Sequence, residues 1–92
     1  MKENEIYEKA ILLWGKRAQM NMMVEEAMEL IQALMKYHRC RVTDDDVINE
    51  MVDVQIMLNQ MKIVMNDDSK YNRMMAFKLD RLQQRVERDE HK

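Results

Sequence analysis

The stretch Val24–Ile31, with the sequence VEEAMELI, decides the fold, because its apolar and acidic residues fall on separate faces of an α-helix. On a helical wheel at about 100° per residue, one apolar face consists of Val24, Ala27, Met28, Ile31 and Met35. Glu26 and Glu29 lie together on a second, partly apolar strip, whereas Glu25 points toward solvent. The stretch therefore predicts a packed helix that carries a pair of carboxylates on a strip separate from its apolar face.

A second acidic pair, Glu50-Met51-Val52-Asp53, lies about one helix further along the chain. Glu50 and Asp53 share a helical sector with Met57 and Val64. Two antiparallel helices would bring both acidic pairs together, and such a group must be paired, protonated or bound to a metal ion. No Lys or Arg lies in either acidic sector. Ligands that are all carboxylates favour Mg²⁺ or Mn²⁺, and the chain lacks the Glu-x-x-His pairs of di-iron bundles.

Capping signals and apolar periodicity predict four helices, at about residues 3–14, 17–39, 44–65 and 69–88. Gly15 is expected to end the first helix, because glycine adopts a left-handed conformation without strain. Thr43 and Asp46 have the spacing of an N-terminal cap for the third helix. That helix carries a heptad seam suited to packing on another helix, formed by Val47, Met51, Val54, Leu58, Met61 and Met65.

The composition predicts one all-α domain over residues 1–92. Hydrophobic residues make up 47% of the chain and charged residues 35%, with one Gly and no Pro, which suits long helices. A domain of this size buries only a modest core, so homo-oligomerisation is expected to complete the bundle. Methionines at helix-core spacing are expected to pack in that core, namely Met28, Met35, Met51, Met61 and Met65.

Charge and cysteine content limit the expected partners and compartment. The formal net charge is −2 and the basic residues are scattered, which predicts neither a nucleic-acid nor a membrane partner. The basic residues that follow the second helix core are expected to complement the negative end of its dipole, namely Lys36, His38, Arg39 and Arg41. Cys40 is the only cysteine, and no segment resembles a signal peptide or a membrane span, so a cytoplasmic protein is expected.

The arrangement of acids resembles a known family. Glu25-Glu26-Ala27-Met28-Glu29, followed after twenty residues by Glu50-Met51-Val52-Asp53, is similar to the EExxE…ExxD signature of the MazG-like all-α nucleoside triphosphate pyrophosphohydrolases, a superfamily that includes dimeric dUTPases. The resemblance extends to Trp14-Gly15 and to Phe77-Lys78-Leu79 in the last helix, and looks like that of short members from phages and prophages.

This resemblance implies an activity and a set of site residues. The family hydrolyses nucleoside triphosphates to the monophosphate and pyrophosphate, with water attacking the α-phosphorus. By motif position, Mg²⁺ or Mn²⁺ would be coordinated by Glu26, Glu29, Glu50 and Asp53. Glu25 would act with Glu26 in catalysis, by orienting or deprotonating the water. Substrate contacts are implied for Trp14 and Gln19 at the base and for Lys78 and Arg81 at the phosphates. A homodimer or homotetramer is also implied.

Several alternatives remain open on the sequence alone. Lys78 and Arg81 are equally well explained as a solvated helix face, and Trp14 as a packing residue. Asn49, Gln55 and Asn59 depart from the acids or aliphatic residues common in relatives, which leaves the preferred base undetermined. The chain could instead be a non-catalytic helical interaction protein that dimerises through its seam, a nucleotide binder of the same fold, or a diphosphatase.

Overall fold

A computed structural model of Met1–Lys92 contains helices and no strands, in the order α1 (Glu3–Trp14), α2 (Lys16–His38), α3 (Asp44–Met65) and α4 (Asp68–Glu90). This confirms the predicted all-α fold of four helices. Each end lies within two residues of its predicted position, and the largest difference is in α4, which continues to Glu90. No helix combines the length and the apolar character that a membrane span requires.

The helix ends follow the predicted capping chemistry. Gly15 has φ 93°, and its N–H donates to the Ile11 carbonyl at 2.8 Å, so α1 passes into α2 with no intervening loop. Asp46 and Thr43 form the expected capping box, in which the Thr43 N–H donates to Asp46 Oδ2 at 2.8 Å. Asn66 ends α3 in the left-handed conformation, with φ 52°.

The chain is organised around the pair of helices α2 and α3, which run antiparallel and form the most extensive contact. Helix α1 lies against both of them and contributes Tyr7 to the small interior. The Tyr7 hydroxyl donates to Glu3 Oε1 at 2.6 Å and accepts from Asn59 Nδ2 at 3.1 Å. Asn59 therefore ties α1 to α3, which gives this side chain a structural role.

Helix α4 stands apart from the other three helices, and all of its residues are exposed. Its start lies near the other helices, where Lys62 Nζ of α3 lies 4.4 Å from the centroid of the Tyr71 ring. An apolar stripe along α4 is consequently uncovered, and it consists of Tyr71, Met75, Leu79, Leu82 and Val86.

The faces that pack within the chain differ from those expected. Of the five predicted core methionines, Met28, Met35, Met51 and Met65 are more than half exposed and only Met61 is partly covered. The expectation is therefore wrong for four of the five in the single chain. Helix α2 instead turns toward α3 the strip that carries Glu26 and Ala33. Its apolar side, which we call the outer face, is exposed and comprises Met20, Val24, Met28, Ile31, Leu34 and Met35.

The heptad seam of α3 is likewise only partly covered. Val47 is buried, whereas Leu58 and Met65 are exposed. The side of α3 that packs inward carries Met57 and Gln60 and lies one helical sector away from the seam. The reason is that the acidic strips of α2 and α3 face each other, which rotates the more apolar faces outward.

Candidate metal centre

Three carboxylates from two helices converge between α2 and α3. Glu26 and Glu29 of α2 and Glu50 of α3 each offer an oxygen, and these oxygens all lie within 4.8 Å of one another. The i,i+3 spacing of Glu26 and Glu29 places them one turn apart on the same side of α2. The helical wheel predicts that Glu26 and Glu29 share one strip of α2, and in the structure that strip faces α3.

The register of the two helices is set by a pair of buried amides. Gln19 Nε2 donates to Gln60 Oε1 at 2.7 Å, and the two residues are only 4% and 5% exposed. In antiparallel helices, residues at equal distances from this contact lie opposite each other. Glu26 follows Gln19 by seven residues and Asp53 precedes Gln60 by seven, so these acids form a matching layer. Glu29 follows Gln19 by ten residues and Glu50 precedes Gln60 by ten, so these two acids form the next layer.

The acids of this cluster lack the partners that buried carboxylates normally have. Glu26 Oε2 and Glu50 Oε2 each expose less than 1 Å² and accept no hydrogen bond. Burial raises the pKa of Glu26 above its ordinary value of 4.5, and the charges of Glu29 and Asp53 raise it further. Burial likewise raises the pKa of Glu50, again with contributions from Glu29 and Asp53. The cluster is therefore a concentration of negative charge that has no ion-pair partner in the protein.

No basic side chain forms an ion pair with the cluster. The expectation that no Lys or Arg lies near the acids is nevertheless wrong for Lys36, which follows Glu29 by seven residues and lines a cavity with Glu29 and Glu50. The ion pairs of the protein, Arg88 with Asp89 and Lys92 with Asp89, both lie at the end of the chain. A carboxylate that is out of water and without a donor is destabilising unless it is protonated or bound to a cation. Carboxylate oxygens from several residues are the ligands that Mg²⁺ and Mn²⁺ prefer, so the residues present fit such an ion.

The other predicted site residues differ in how close they lie to the cluster. Asp53 is half-buried and close enough for its charge to act on both Glu26 and Glu50. Glu25 is exposed and outside the cluster, as the wheel indicated. Gln19 lies in the helix interface with its amide already bonded to Gln60, so contact with a nucleotide base remains a prediction for it.

Trp14 is 63% exposed, which is inconsistent with the alternative that it packs in the core of this chain. It borders an apolar groove of about 600 Å³ between α1 and α3, together with Ile6, Leu13 and Ile56. The groove also reaches Gln60, the partner of Gln19. The position of Trp14 leaves its aromatic surface available, and its contact with a base remains a prediction.

Lys78 and Arg81 are not brought to the acids within one chain. Both line a shallow groove of about 530 Å³ that belongs entirely to α4, together with Lys70, Arg73 and Phe77. Because α4 packs on no other helix beyond its first turn, a single chain does not assemble these cations with the carboxylates. Their predicted contact with phosphates requires a second copy of the chain or a movement of α4.

Gln60 fixes the register of the acids and is not among the site residues predicted from the sequence. One signal was available, because Gln60 follows Asp53 and Met57 at helical spacing on a strip that is otherwise partly apolar. A polar residue there needs a partner from a neighbouring helix, although the sequence does not say which. Comparisons with protein-family models, with curated proteins and with solved structures found no match to this chain.

Proposed function

We propose that this protein is a nucleotide pyrophosphohydrolase that depends on Mg²⁺ or Mn²⁺ and converts a nucleoside triphosphate or deoxynucleoside triphosphate to the monophosphate and pyrophosphate. The supporting observation is the pair of buried carboxylate oxygens, Glu26 Oε2 and Glu50 Oε2, that have no hydrogen-bond partner in a cluster of acids. The resemblance of the acid spacing to MazG-like enzymes supplies the reaction. A cytoplasmic location, where free nucleotides are abundant, belongs to the same proposal.

Each acid has a separate part in this proposal. Glu26, Glu29, Glu50 and Asp53 would hold the cation between α2 and α3. An Mg²⁺ ion held by these residues would supply positive charge against the phosphates and would make a water molecule more acidic. Glu25 is exposed beside the cluster and would orient the attacking water or accept its proton.

The proposed active form is a homodimer or a homotetramer. A folded monomer of 11.2 kDa exposes about 5,700 Å² on average, whereas this chain exposes 7888 Å². The excess of about 2,200 Å² per chain is of the size that obligate interfaces bury. The radius of gyration of 16.7 Å also exceeds the value of about 12 Å expected for a compact chain of this length. In such an assembly, α4 of a second copy would carry Lys78 and Arg81 toward the acids.

A panel of canonical and modified nucleoside triphosphates, with Mg²⁺ or Mn²⁺, tests the activity. The expected products are the nucleoside monophosphate and inorganic pyrophosphate, identified by chromatography and by a pyrophosphate assay. Release of inorganic phosphate would indicate a diphosphatase instead. Absence of turnover across the whole panel with both metals would refute the proposal.

A single isosteric substitution tests the site. Glu50→Gln removes one carboxylate and keeps the shape of the side chain, so turnover should fall by about 100-fold or more. Substituting residues that only hydrogen-bond to metal ligands already lowers metal affinity or activity by about 10- to 100-fold. Asp45→Asn is the matched control, since Asp45 is an exposed acid on the same helix and outside the cluster. Equal activity of Glu50→Gln and Asp45→Asn would remove Glu50 from the site.

A non-catalytic helical interaction protein is the second candidate, and the exposed outer face of α2 and the apolar stripe of α4 favour it. The two functions differ in their response to ligand. An enzyme or a nucleotide binder should be stabilised by Mg²⁺ with a nonhydrolysable nucleotide, by about 2.7 kcal/mol at a hundredfold excess over the dissociation constant. An interaction protein should show no such stabilisation in thermal unfolding.

A further inference from the structure

A polar cavity of about 330 Å³ opens beside the acid cluster, between the last turns of α2 and the first turns of α3. Glu29 and Glu50 form the side of this cavity that belongs to the cluster. The remaining walls come from Gln32, Ala33, Lys36, Val42, Asp46 and Asn49. The volume is at the lower end of the range of about 300–1,000 Å³ for ligand pockets. A ligand in this cavity would contact both helices and the acids at once.

Lys36 is the single cation in the cavity, and it forms no ion pair although three carboxylates line the same walls. One of the three is already engaged, because Asp46 accepts from the Thr43 N–H at 2.8 Å and from Thr43 Oγ1 at 3.0 Å. The other two belong to the acid cluster. The ammonium group of Lys36 is thus free to bind an anion that enters the cavity.

The amides of the cavity are also free. Neither Gln32 nor Asn49 forms a side-chain hydrogen bond within the protein, in contrast to Gln19, Gln55, Asn59 and Gln60. One amide lies on each helix, and each offers donors and an acceptor. The cavity therefore presents a single positive charge, two unpaired amides and two acids of the proposed metal site.

We propose that Lys36 binds the phosphate chain of the nucleotide substrate, in this cavity, next to the carboxylates Glu29 and Glu50. This inference rests on the proposed function. The phosphates of a nucleoside triphosphate carry more negative charge than one divalent cation neutralises, so a second cation is needed beside the acids. Lys36 is the cation that the same chain provides there, whereas Lys78 and Arg81 lie on the detached α4. Lysine acts as a compact point charge on a flexible stem, which suits a phosphate chain.

The test is equilibrium binding of a nonhydrolysable nucleoside triphosphate with Mg²⁺, measured by calorimetry on the full chain, together with steady-state kinetics. Lys36→Met should weaken binding and raise KM by about 10- to 100-fold, because this is the contribution expected from one hydrogen bond to a charged group. Lys36→Arg should restore most of the affinity. Mg²⁺-dependent stabilisation without nucleotide should be equal in wild type and Lys36→Met, because Lys36 is not a metal ligand.

Two controls separate this role from a structural one. Lys16→Met removes an exposed cation from the other end of α2, and its KM should equal that of wild type. Because Lys36 also lies in the last turn of α2, where a cation stabilises the helix, thermal unfolding of each variant must accompany the binding measurement.

The outcomes are distinguishable. If wild type turns over substrate and Lys36→Met binds the analogue equally well, the role of Lys36 is refuted and the proposed function stands. If Lys78→Met or Arg81→Met weakens binding while Lys36→Met does not, the phosphates are held by α4 instead, which also refutes it. If wild type neither binds nor hydrolyses any nucleotide, both proposals fail.

Discussion

A charge placed on the outer face of α2 distinguishes a monomer from an oligomer. Ile31 is 56% exposed in the single chain and lies in the middle of this face. In a stable monomer, Ile31→Asp should change the free energy of unfolding by about 0.5 kcal/mol or less, as is usual at exposed positions. Isoleucine and aspartate also differ little in helix propensity. The substitution is therefore nearly silent if the outer face contacts only water.

The expectation is very different if a second copy covers the face. The remaining half of the Ile31 side chain would then be buried, and its loss costs about 1 kcal/mol. An unpaired carboxylate in the interface adds about 3 kcal/mol or more. A symmetric dimer contains the change twice, so the total is about 8 kcal/mol, which weakens association on the order of 10⁶-fold. Wild type should then be dimeric or tetrameric, and Ile31→Asp monomeric and less stable.

Sedimentation equilibrium over a wide range of protein concentrations measures this effect, and thermal unfolding as a function of concentration supplements it. Asn21→Asp is the matched control, because Asn21 is an exposed polar residue of α2 outside the outer face. It introduces the same charge and should leave the mass unchanged. A monomeric wild type, or an Ile31→Asp variant that associates as strongly as wild type, would refute the reasoning from exposed area.

Two further predictions concern the polar interface between α2 and α3. Burial and neighbouring charge raise the pKa of Glu26 and Glu50 above 4.5. Above that pH the folded state therefore binds more protons than the unfolded state. The free energy of unfolding should consequently fall as the pH rises through the raised pKa values. The double variant Glu26→Gln/Glu50→Gln should lose this fall in urea unfolding with chelator present, and identical pH profiles would contradict the assignment. Replacing Gln60 by leucine should cost about 1–3 kcal/mol, because it leaves the buried Gln19 amide unpaired, whereas the double change Gln19→Leu/Gln60→Leu should cost less than the single one. A double-mutant cycle without coupling would show that the 2.7 Å contact does not stabilise the fold.

Local chemistry made the helices and their ends predictable. Gly15 takes a positive φ that other residues adopt only with strain, and the Thr43 box closes on Asp46 as its spacing indicated. The helical wheel also separated Glu25 from Glu26 and Glu29, since helix geometry alone fixes which residues share a side. These features depend on contacts within a few residues, and the sequence contains all of the information they need.

The direction in which each helix faces was not predictable by the same means. A wheel identifies Val24, Met28 and Ile31 as the most apolar side of α2, and it assumes that the most apolar side faces the interior of the same chain. The single chain instead turns Glu26 and Ala33 inward and leaves those residues exposed. The sequence also does not predict that α4 stands apart from the other helices. Its amphipathic stripe predicts a packing partner but does not specify whether the same chain or another chain provides it.

The acids converge because of the register of the helices and not because they attract one another, since like charges repel. Apolar strips tolerate a slip of one helical turn at low cost, but a slip here would break the bond between Gln19 and Gln60 and leave two buried amides unsatisfied. Each unsatisfied group costs about 1–3 kcal/mol, which is a large fraction of the stability of a small domain. The amide pair thus selects the one register in which Glu26 lies opposite Asp53 and Glu29 opposite Glu50. The fold itself holds the carboxylates together, so binding of the proposed cation would carry no cost of assembling them and would reduce the repulsion between them.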